Sequence, residues 1–336
     1  MPQFSIAFQT DKPLSAYGPL AALAEELGFD GVSVYNDLLF QPAWPALLEM
    51  ARHTRRVRLG PAAVNPFTCH PVNIAGHIAL LDEASQGRAY LGLARGAWLD
   101  WLGLNSPKPV TALREAFQCI RRLLSGEQEP FEGEVFRLGG GESLRWEIRR
   151  AEIPFLLGSW GPRTIEACLG QVEEVKLGGT ANPALLRRTL DWMKHIQLDR
   201  KSSGPLPGLV AGCVSLVDED GPLARRLARR EVALYLPVVA DLDSSLQVDP
   251  ELVRRIQEAL NRRDAASAGR LVPDSLLDKL ALAGTPAQVI ESSLKLLEAG
   301  AARIEFGTPH GLTPQQGLQL LGKKVLPALR VWRSVR

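Results

Sequence analysis

One short pattern recurs along the 336-residue chain: an amphipathic helix, then a glycine, then an apolar strand. In the first copy, apolar residues recur at helical spacing from Leu20 to Leu27, and Gly28 follows them. Because glycine readily takes the left-handed conformation that ends a helix, Val32 is predicted to open a strand. A late copy has the same order around Gly300. Strands that alternate with helices in this way are typical of a parallel sheet.

Eight segments have the apolar, β-branched character of strands. They are Phe4–Phe8, Val32–Val34, Val57–Leu59, Ala89–Ala94, Ile153–Leu157, Val172–Val175, Leu209–Leu216 and Ile304–Phe306. Since no linker rich in Pro, Gly and Ser divides them, they favour one α/β domain over residues 1–336, a (β/α)8 TIM barrel. Two segments interrupt the alternation, about 129–150 with a hairpin turn at Glu132-Gly133-Glu134, and about 231–281, which is mostly helical. Both are interpreted as insertions after barrel strands.

Composition and charge narrow the possible partners. The net charge of +2 is too small for a nucleic-acid footprint or a membrane-binding surface, which leaves a small molecule as the expected partner. The four cysteines are far apart, so neither a zinc site nor a disulfide framework is predicted. No signal peptide is expected at the start, and the longest apolar run, Val232–Ala240, is too short for a membrane span. We therefore expect a cytoplasmic protein.

Several catalytic motifs are missing from the sequence. It has no GxGxxG after a strand, no phosphate-binding Walker loop, no HExxH and no GxSxG, which disfavours Rossmann dehydrogenases, NTPases, zinc proteases and α/β-hydrolases. His70 and His77 could share a helix face, but no carboxylate stands at ligand spacing, so no metal site is predicted.

The segments after predicted strands are the candidate site, because barrel enzymes build their active sites from those loops. Residues 60–71 are rich in proline and small residues, which lets a flat ligand approach the backbone, and residues 92–100 carry further glycines. In residues 158–164, exposed amides and Arg163 could hold an anionic group. Gly178 could bring another backbone edge to the same ligand. The alternative for each glycine is a simple turn.

A distinctive stretch, Asp-Glu-x-Ser-x-Gly-Arg, lies at residues 82–88 between a long helix and a strand. Other characteristic segments are Leu27–Val32, Thr54–Pro71, Leu124–Glu127, Phe131–Gly133, Gly158–Pro162 and Ala299–Gly307. On these residues, most of the chain resembles the bacterial-luciferase-like flavin and deazaflavin oxidoreductases, most closely the methylenetetrahydromethanopterin reductase branch. The resemblance implies a barrel that binds coenzyme F420, a deazaflavin, at the carboxyl ends of its strands, and that transfers a hydride. It also implies a homodimer.

The resemblance assigns cofactor-binding residues in three groups. They are Asn36, Ala62, Ala63 and Asn65 around the ring; Arg95, Gly96 and Asp100 along the ribityl chain; and Gly161, Arg163 and Thr164 around the phosphate. Ala62 and Ala63 correspond to the family's bulge, where a cis peptide bond pushes the backbone against the ring, so a cis bond is predicted between them.

The chain departs from the family pattern at its usual proton donors. Asn36-Asp37 stands where relatives have Asp-His, and Ala97 replaces a glutamate that serves as an acid in one branch. Asp37 is therefore the candidate acid or base, and the alternative is a strand-end carboxylate that caps nearby amides. The leading hypothesis is an F420-dependent oxidoreductase acting on a small, folate- or methanopterin-like substrate. The alternatives are an FMN-dependent monooxygenase and a non-catalytic flavin binder.

Overall fold

A computed structural model describes residues 1–104, 107–200, 204–240, 242–243 and 245–332. The strands in these ranges are β1 (Gln3–Phe8), β2 (Gly31–Val34), β3 (Arg58–Pro61), β4 (Leu91–Ala94), β5 (Phe131–Glu132), β6 (Arg137–Leu138), β7 (Phe155–Gly158), β8 (Glu174–Gly178), β9 (Gly208–Val217), β10 (Ala281–Gly284) and β11 (Arg303–His310). Eight of them, all except β5, β6 and β10, fall on the eight predicted segments.

These eight strands form a parallel barrel in chain order. The hydrogen-bonded order runs β3-β2-β1-β11-β9-β8-β7-β4, and parallel bridges from Leu59 to Ala89 and from Val64 to Leu93 close the gap between β3 and β4. The predicted (β/α)8 barrel is thus confirmed. The strand β10 was not predicted; it pairs in parallel with the last residues of β9, where Ala281 lies opposite Val214.

Helices alternate with the barrel strands. They are α1 (Tyr17–Glu26), α2 (Ala43–His53), α3 (Pro71–Ala84), α4 (Pro109–Ser125), α5 (Pro162–Cys168), α6 (Pro183–Asp199), α7 (Gly221–Val239), α8 (Pro250–Asn261), α9 (Ala265–Leu271), α10 (Asp274–Leu280), α11 (Pro286–Glu298), α12 (Pro314–Leu320) and α13 (Leu326–Val331). As expected, Gly28 and Gly300 follow α1 and α11 in the left-handed conformation, with φ of 88° and 96°. In the described ranges, no helix is both long and apolar enough to cross a membrane.

The two interruptions of the barrel differ in position. The strands β5 and β6 form the predicted hairpin, but it follows α4 and precedes β7, which corrects the expectation that it follows a barrel strand. Its turn is held by the buried Glu115 of α4, whose carboxylate accepts the backbone N–H groups of Glu134, Val135 and Phe136 at 2.9, 2.8 and 3.1 Å. The second interruption follows β9 and begins at Gly221, ten residues before the predicted boundary.

Apolar packing divides into an outer layer and a smaller helical cluster. The main core lies between the strands and the surrounding helices and includes Phe4, Phe117 and Phe306. A second cluster joins β9 and β10 to helices α7 to α10. Inside the barrel, only Tyr90, Leu156 and Val210 form an apolar group among the described residues. Buried polar side chains lie next to this group, among them Ser33, Lys176 and Glu305, which are linked by hydrogen bonds.

Candidate active site

The loop after β3 has the predicted backbone bulge. The peptide bond between Ala62 and Ala63 is cis, as the resemblance implied, and Val64 then pairs with β4. The N–H of Ala62 donates to the carbonyl of Val34 at 2.9 Å, while its carbonyl oxygen accepts from the Nζ of Lys176 at 3.4 Å. Ala62 is 8% exposed, and both its N–H and its carbonyl oxygen have a protein partner, so the backbone of the bulge is fixed.

Asn65 and Gly96 lie beside each other next to the bulge. The side-chain oxygen of Asn65 accepts the backbone N–H groups of Phe67 and Thr68 at 3.0 and 2.9 Å, so it holds the turn before α3. Gly96 has a φ of 84°, and a Cβ atom at this position would lie 3.1 Å from the Asn65 amide nitrogen. The structure therefore brings two predicted cofactor residues together and explains why one of them is glycine.

Four predicted residues line one cavity of about 400 Å³. Arg95 follows β4, whereas Gly161, Arg163 and Thr164 belong to the start of α5. The opposite wall is formed by apolar groups of α4 that include Leu113. Both arginines are exposed, and within the described part of the chain neither has an ion pair or a hydrogen bond, which leaves their guanidinium groups available to an anion.

Asp37 and Asn36 lie in a second cavity of about 300 Å³, together with Asn65. The Oδ2 of Asp37 accepts from Gln9 Nε2 at 2.7 Å, and burial raises the pKa of Asp37, although Gln9 and the charge of Lys176 oppose this shift. Its hydrogen-bond partner is thus the side-chain amide of Gln9, and the role of Asp37 as an acid or base stays a prediction. Asn36 accepts the N–H of Ala43 at 3.0 Å and so begins α2.

Five predicted residues line neither of these two cavities: Ala62, Ala63 and Gly96 at or beside the bulge, and also Asp100 and Gly178. Asp100 is exposed in a 3-10 turn over Leu99–Leu102. The carbonyl of Gly178 accepts from Trp160 Nε1 at 2.8 Å, so this backbone edge already has a protein partner.

The two histidines considered for a metal have other roles. His70 caps α3 by accepting the N–H of Val72 at 3.3 Å. The ring of His77 stacks on Trp44 with a centroid distance of 5.1 Å, and burial lowers its pKa. Across the ranges that the structure describes, no three His, Cys, Asp or Glu side chains come together as a metal site.

The sequence analysis missed a chain of charged residues inside the barrel. Arg303 binds both carboxylate oxygens of Glu174 at 2.9 Å and lies 3.2 Å from Glu305, which in turn pairs with Lys176. Lys176 reaches across the barrel to the carbonyl of Ala62. A signal was present, because residues two apart in a strand share a face and Glu174-x-Lys176 and Arg303-x-Glu305 both place charges on one face.

The family model described as luciferase-like monooxygenase matches residues 3–303. The chain belongs to this family. The 5,10-methylenetetrahydromethanopterin reductase of Methanolobus tindarius is 28% identical over 331 residues, covering 96% of this chain and 99% of the relative. The reductase of the same name from Archaeoglobus fulgidus is also 28% identical and covers 98% of this chain and all of the relative.

A solved structure agrees with these relatives. The coenzyme F420-dependent tetrahydromethanopterin reductase of Methanopyrus kandleri superposes with a TM-score of 0.87 at 26% identity, over 97% of this chain and 99% of that one. The two proteins therefore share their fold over nearly the whole length of both chains.

That interruption adds residues that the sequence analysis did not assign to this luciferase-like site. The ring of Tyr235 on α7 lies 6.4 Å from the ring of Trp98, which has a left-handed backbone with φ of 57° in the loop after β4. Glu231 lies one helical turn before Tyr235, and burial, with the charge of Asp11, raises its pKa. Burial and the nearby Asp37 also raise the pKa of Tyr235. Helix α7 thus brings aromatic and acidic groups to the loops that follow β1, β2 and β4.

Proposed function

We propose that this protein is a coenzyme F420-dependent oxidoreductase that transfers a hydride between the deazaflavin and a small, pterin- or folate-like substrate. The observation that carries the proposal is the full-length similarity to F420-dependent methanopterin reductases, combined with a cavity where two arginines have no ion pair or hydrogen bond within the described residues. F420 carries a phosphate and a carboxylate-rich tail. Free guanidinium groups beside an apolar wall suit such a ligand.

Different residues at the bulge and in the two cavities bind different parts of the cofactor. The segment Ala62–Ala63 presents backbone to one face of the ring, and Asn65 with Gly96 keeps the neighbouring loop close to it. Arg95 and Arg163 bind the phosphate, with Thr164 beside them. Because α5 has only seven residues, the side chains rather than the helix dipole supply most of the attraction. When bound, the deazaflavin supplies the hydride chemistry, and the protein orients it.

Asp37 is the acid of the proposed reaction. Burial raises its pKa, so the carboxyl keeps its proton closer to neutral pH than an exposed aspartate does. Gln9 donates to one carboxylate oxygen and leaves the other free to face a substrate in the same cavity. Relatives have Asp-His at positions 36 and 37, and one branch has a glutamate at position 97. Asp37 takes over the role of these missing proton donors.

Parallel titrations with F420 and FMN test the cofactor. We expect the fluorescence of F420 to be quenched on binding, and we expect FMN to bind at least about tenfold more weakly, because it has no carboxylate-rich tail. Tighter binding of FMN, with oxygen consumption when a flavin reductase is added, would favour the alternative of a monooxygenase. Binding of F420 without any turnover of reduced pterins would favour a non-catalytic flavin binder.

We further propose that the protein acts in the cytoplasm as a homodimer. Its four cysteines are all free thiols, and three of them are buried, which suits a reducing compartment. Light scattering of the purified protein tests the dimer, and a monomer at micromolar concentration would contradict it.

A further inference from the structure

Lys176 is a buried cation that the proposed reaction does not use. It belongs to β8, points into the barrel and is 5% exposed. Its ammonium group pairs with Glu305, donates to the carbonyl of Ala62 at 3.4 Å and lies 5.0 Å from the centre of the Tyr35 ring. An ammonium group has three N–H donors. Glu305, the carbonyl of Ala62 and the ring of Tyr35 surround the ammonium group, and one of these partners belongs to the bulge after β3.

The surroundings hold this side chain in one position. Glu305 is fully buried; its other oxygen accepts from Ser33 Oγ at 2.5 Å and from Arg303 at 3.2 Å. Burial alone would raise the pKa of Glu305, but Lys176 and Arg303 hold it below its ordinary value, so Glu305 stays charged. On the opposite side, a Cβ atom at Gly212 would lie 2.6 Å from Lys176 Cε. The glycine leaves the room that the stem of Lys176 needs.

Structural support alone does not explain this arrangement. Removing charges from water is expensive, and packed apolar side chains of similar volume are often at least as stable as a buried ion pair. The interiors of (β/α)8 barrels are usually filled by such apolar layers. Here, instead, side chains of alternating charge contact one another in the order Glu174, Arg303, Glu305 and Lys176. Lys176, the last of them, donates to the carbonyl of Ala62.

We propose that Lys176 is a positioning residue for the cofactor. It fixes the Ala62 carbonyl, and with it the backbone surface on which the deazaflavin ring lies. This inference rests on the proposed function, because the ring gives the fixed carbonyl its purpose. Lys176 acts through Ala62 and does not take part in the hydride step.

The test compares the Lys176–Glu305 pair with an ion pair that does not contact the bulge. The variant K176M/E305Q removes both charges of the Lys176–Glu305 pair and keeps the side-chain volumes. The control D82N/R150M removes an ion pair at the other end of the barrel, where the 32% exposed side chain of Arg150 donates to the buried Asp82 at 2.7 Å. Both variants are titrated with F420, and the absorption spectrum of the bound cofactor is recorded. We expect K176M/E305Q to weaken F420 binding by about tenfold or more and to shift the bound spectrum. The control should bind F420 like the wild type.

Three results would overturn the inference. One is a folded K176M/E305Q protein with wild-type affinity and spectrum. Another is an equal loss of affinity in the control, because the effect would then be general destabilisation. If K176M/E305Q does not fold, G212A displaces Lys176 without removing its charge, and unchanged F420 affinity in that variant contradicts the inference. A wild-type protein that does not bind F420 at all refutes the proposed function, and this inference falls with it.

Discussion

Arg163→Ala tests the anion site directly. Arg163 is exposed at the start of α5, and among the described residues it has neither an ion pair nor a hydrogen bond. Its removal should therefore change the free energy of unfolding by no more than about 0.5 kcal/mol. Any larger effect on F420 must come from the contact with the cofactor.

The size of that effect follows from the chemistry of the contact. A hydrogen bond to a charged group contributes about 1.5–3 kcal/mol, which corresponds to a Kd raised by about 10- to 150-fold. Because Arg163 is solvent-exposed, salt and water weaken the attraction, and we expect the lower half of that range. Arg95→Ala should give a similar increase. The double variant should lose less binding free energy than the sum of the two single losses, since both arginines bind one anion.

Fluorescence quenching of F420 at fixed ionic strength measures these constants. Arg52→Ala is the control, because Arg52 is also an exposed arginine without a described partner, but it lies in the last turn of α2 at the other end of the barrel. The deazaflavin without its phosphate tail should bind equally to wild type and Arg163→Ala. Unchanged F420 affinity in both Arg163→Ala and Arg95→Ala would show that the phosphate lies elsewhere.

Three further outcomes follow from the structure. Asp37→Asn should lower turnover by about 10²- to 10⁴-fold without changing the Kd for F420. The rate of the wild-type enzyme should fall as the pH rises through the raised pKa of Asp37. If Asp37→Asn keeps this pH dependence, Asp37 is not the acid. Burial lowers the pKa of His310 to about 4, so the unfolded chain binds more protons than the folded one between pH 4 and 6.5. The free energy of unfolding should therefore fall by about 3 kcal/mol as the pH drops across that range. Urea unfolding at several pH values should show a weaker pH dependence of this free energy in His310→Gln, and an equal pH dependence would contradict the reasoning. Glu115→Gln should cost about 2 kcal/mol in the same assay, because a weaker acceptor then serves the three hairpin amides; no loss would show that the hairpin does not depend on it.

The barrel could be predicted from sequence because its signals are local. Each helix and strand has its own periodicity, and glycines such as Gly28 mark the boundaries. The strand β10 escaped prediction because it has four residues, stands within a mostly helical stretch and pairs only with the end of β9. The prediction that the hairpin follows a barrel strand was wrong for a related reason. The sequence indicates a turn, but it does not show at which end of the barrel the turn lies.

The candidate site could be predicted only in part. Arg95, Arg163 and Thr164 share a cavity because the ends of neighbouring parallel strands meet at one edge, a rule that sequence can use. The pairing of Lys176 with Glu305 could not be predicted, because the two residues are 129 positions apart and charges in a strand usually face solvent. Tyr235 was missed since its place over the barrel depends on how α7 packs.

Deuteride transfer tests the central claim most directly. F420 reduced with deuterium at the carbon that carries the hydride is mixed with the protein and with a methylene-substituted tetrahydropterin, and the product is analysed by mass spectrometry and NMR. The account predicts one deuterium in the product's methyl group, together with recovery of the visible absorption of oxidised F420, and a rate reduced at least about 100-fold in Asp37→Asn. Oxidation of the reduced cofactor by dioxygen with no label in the pterin would contradict it.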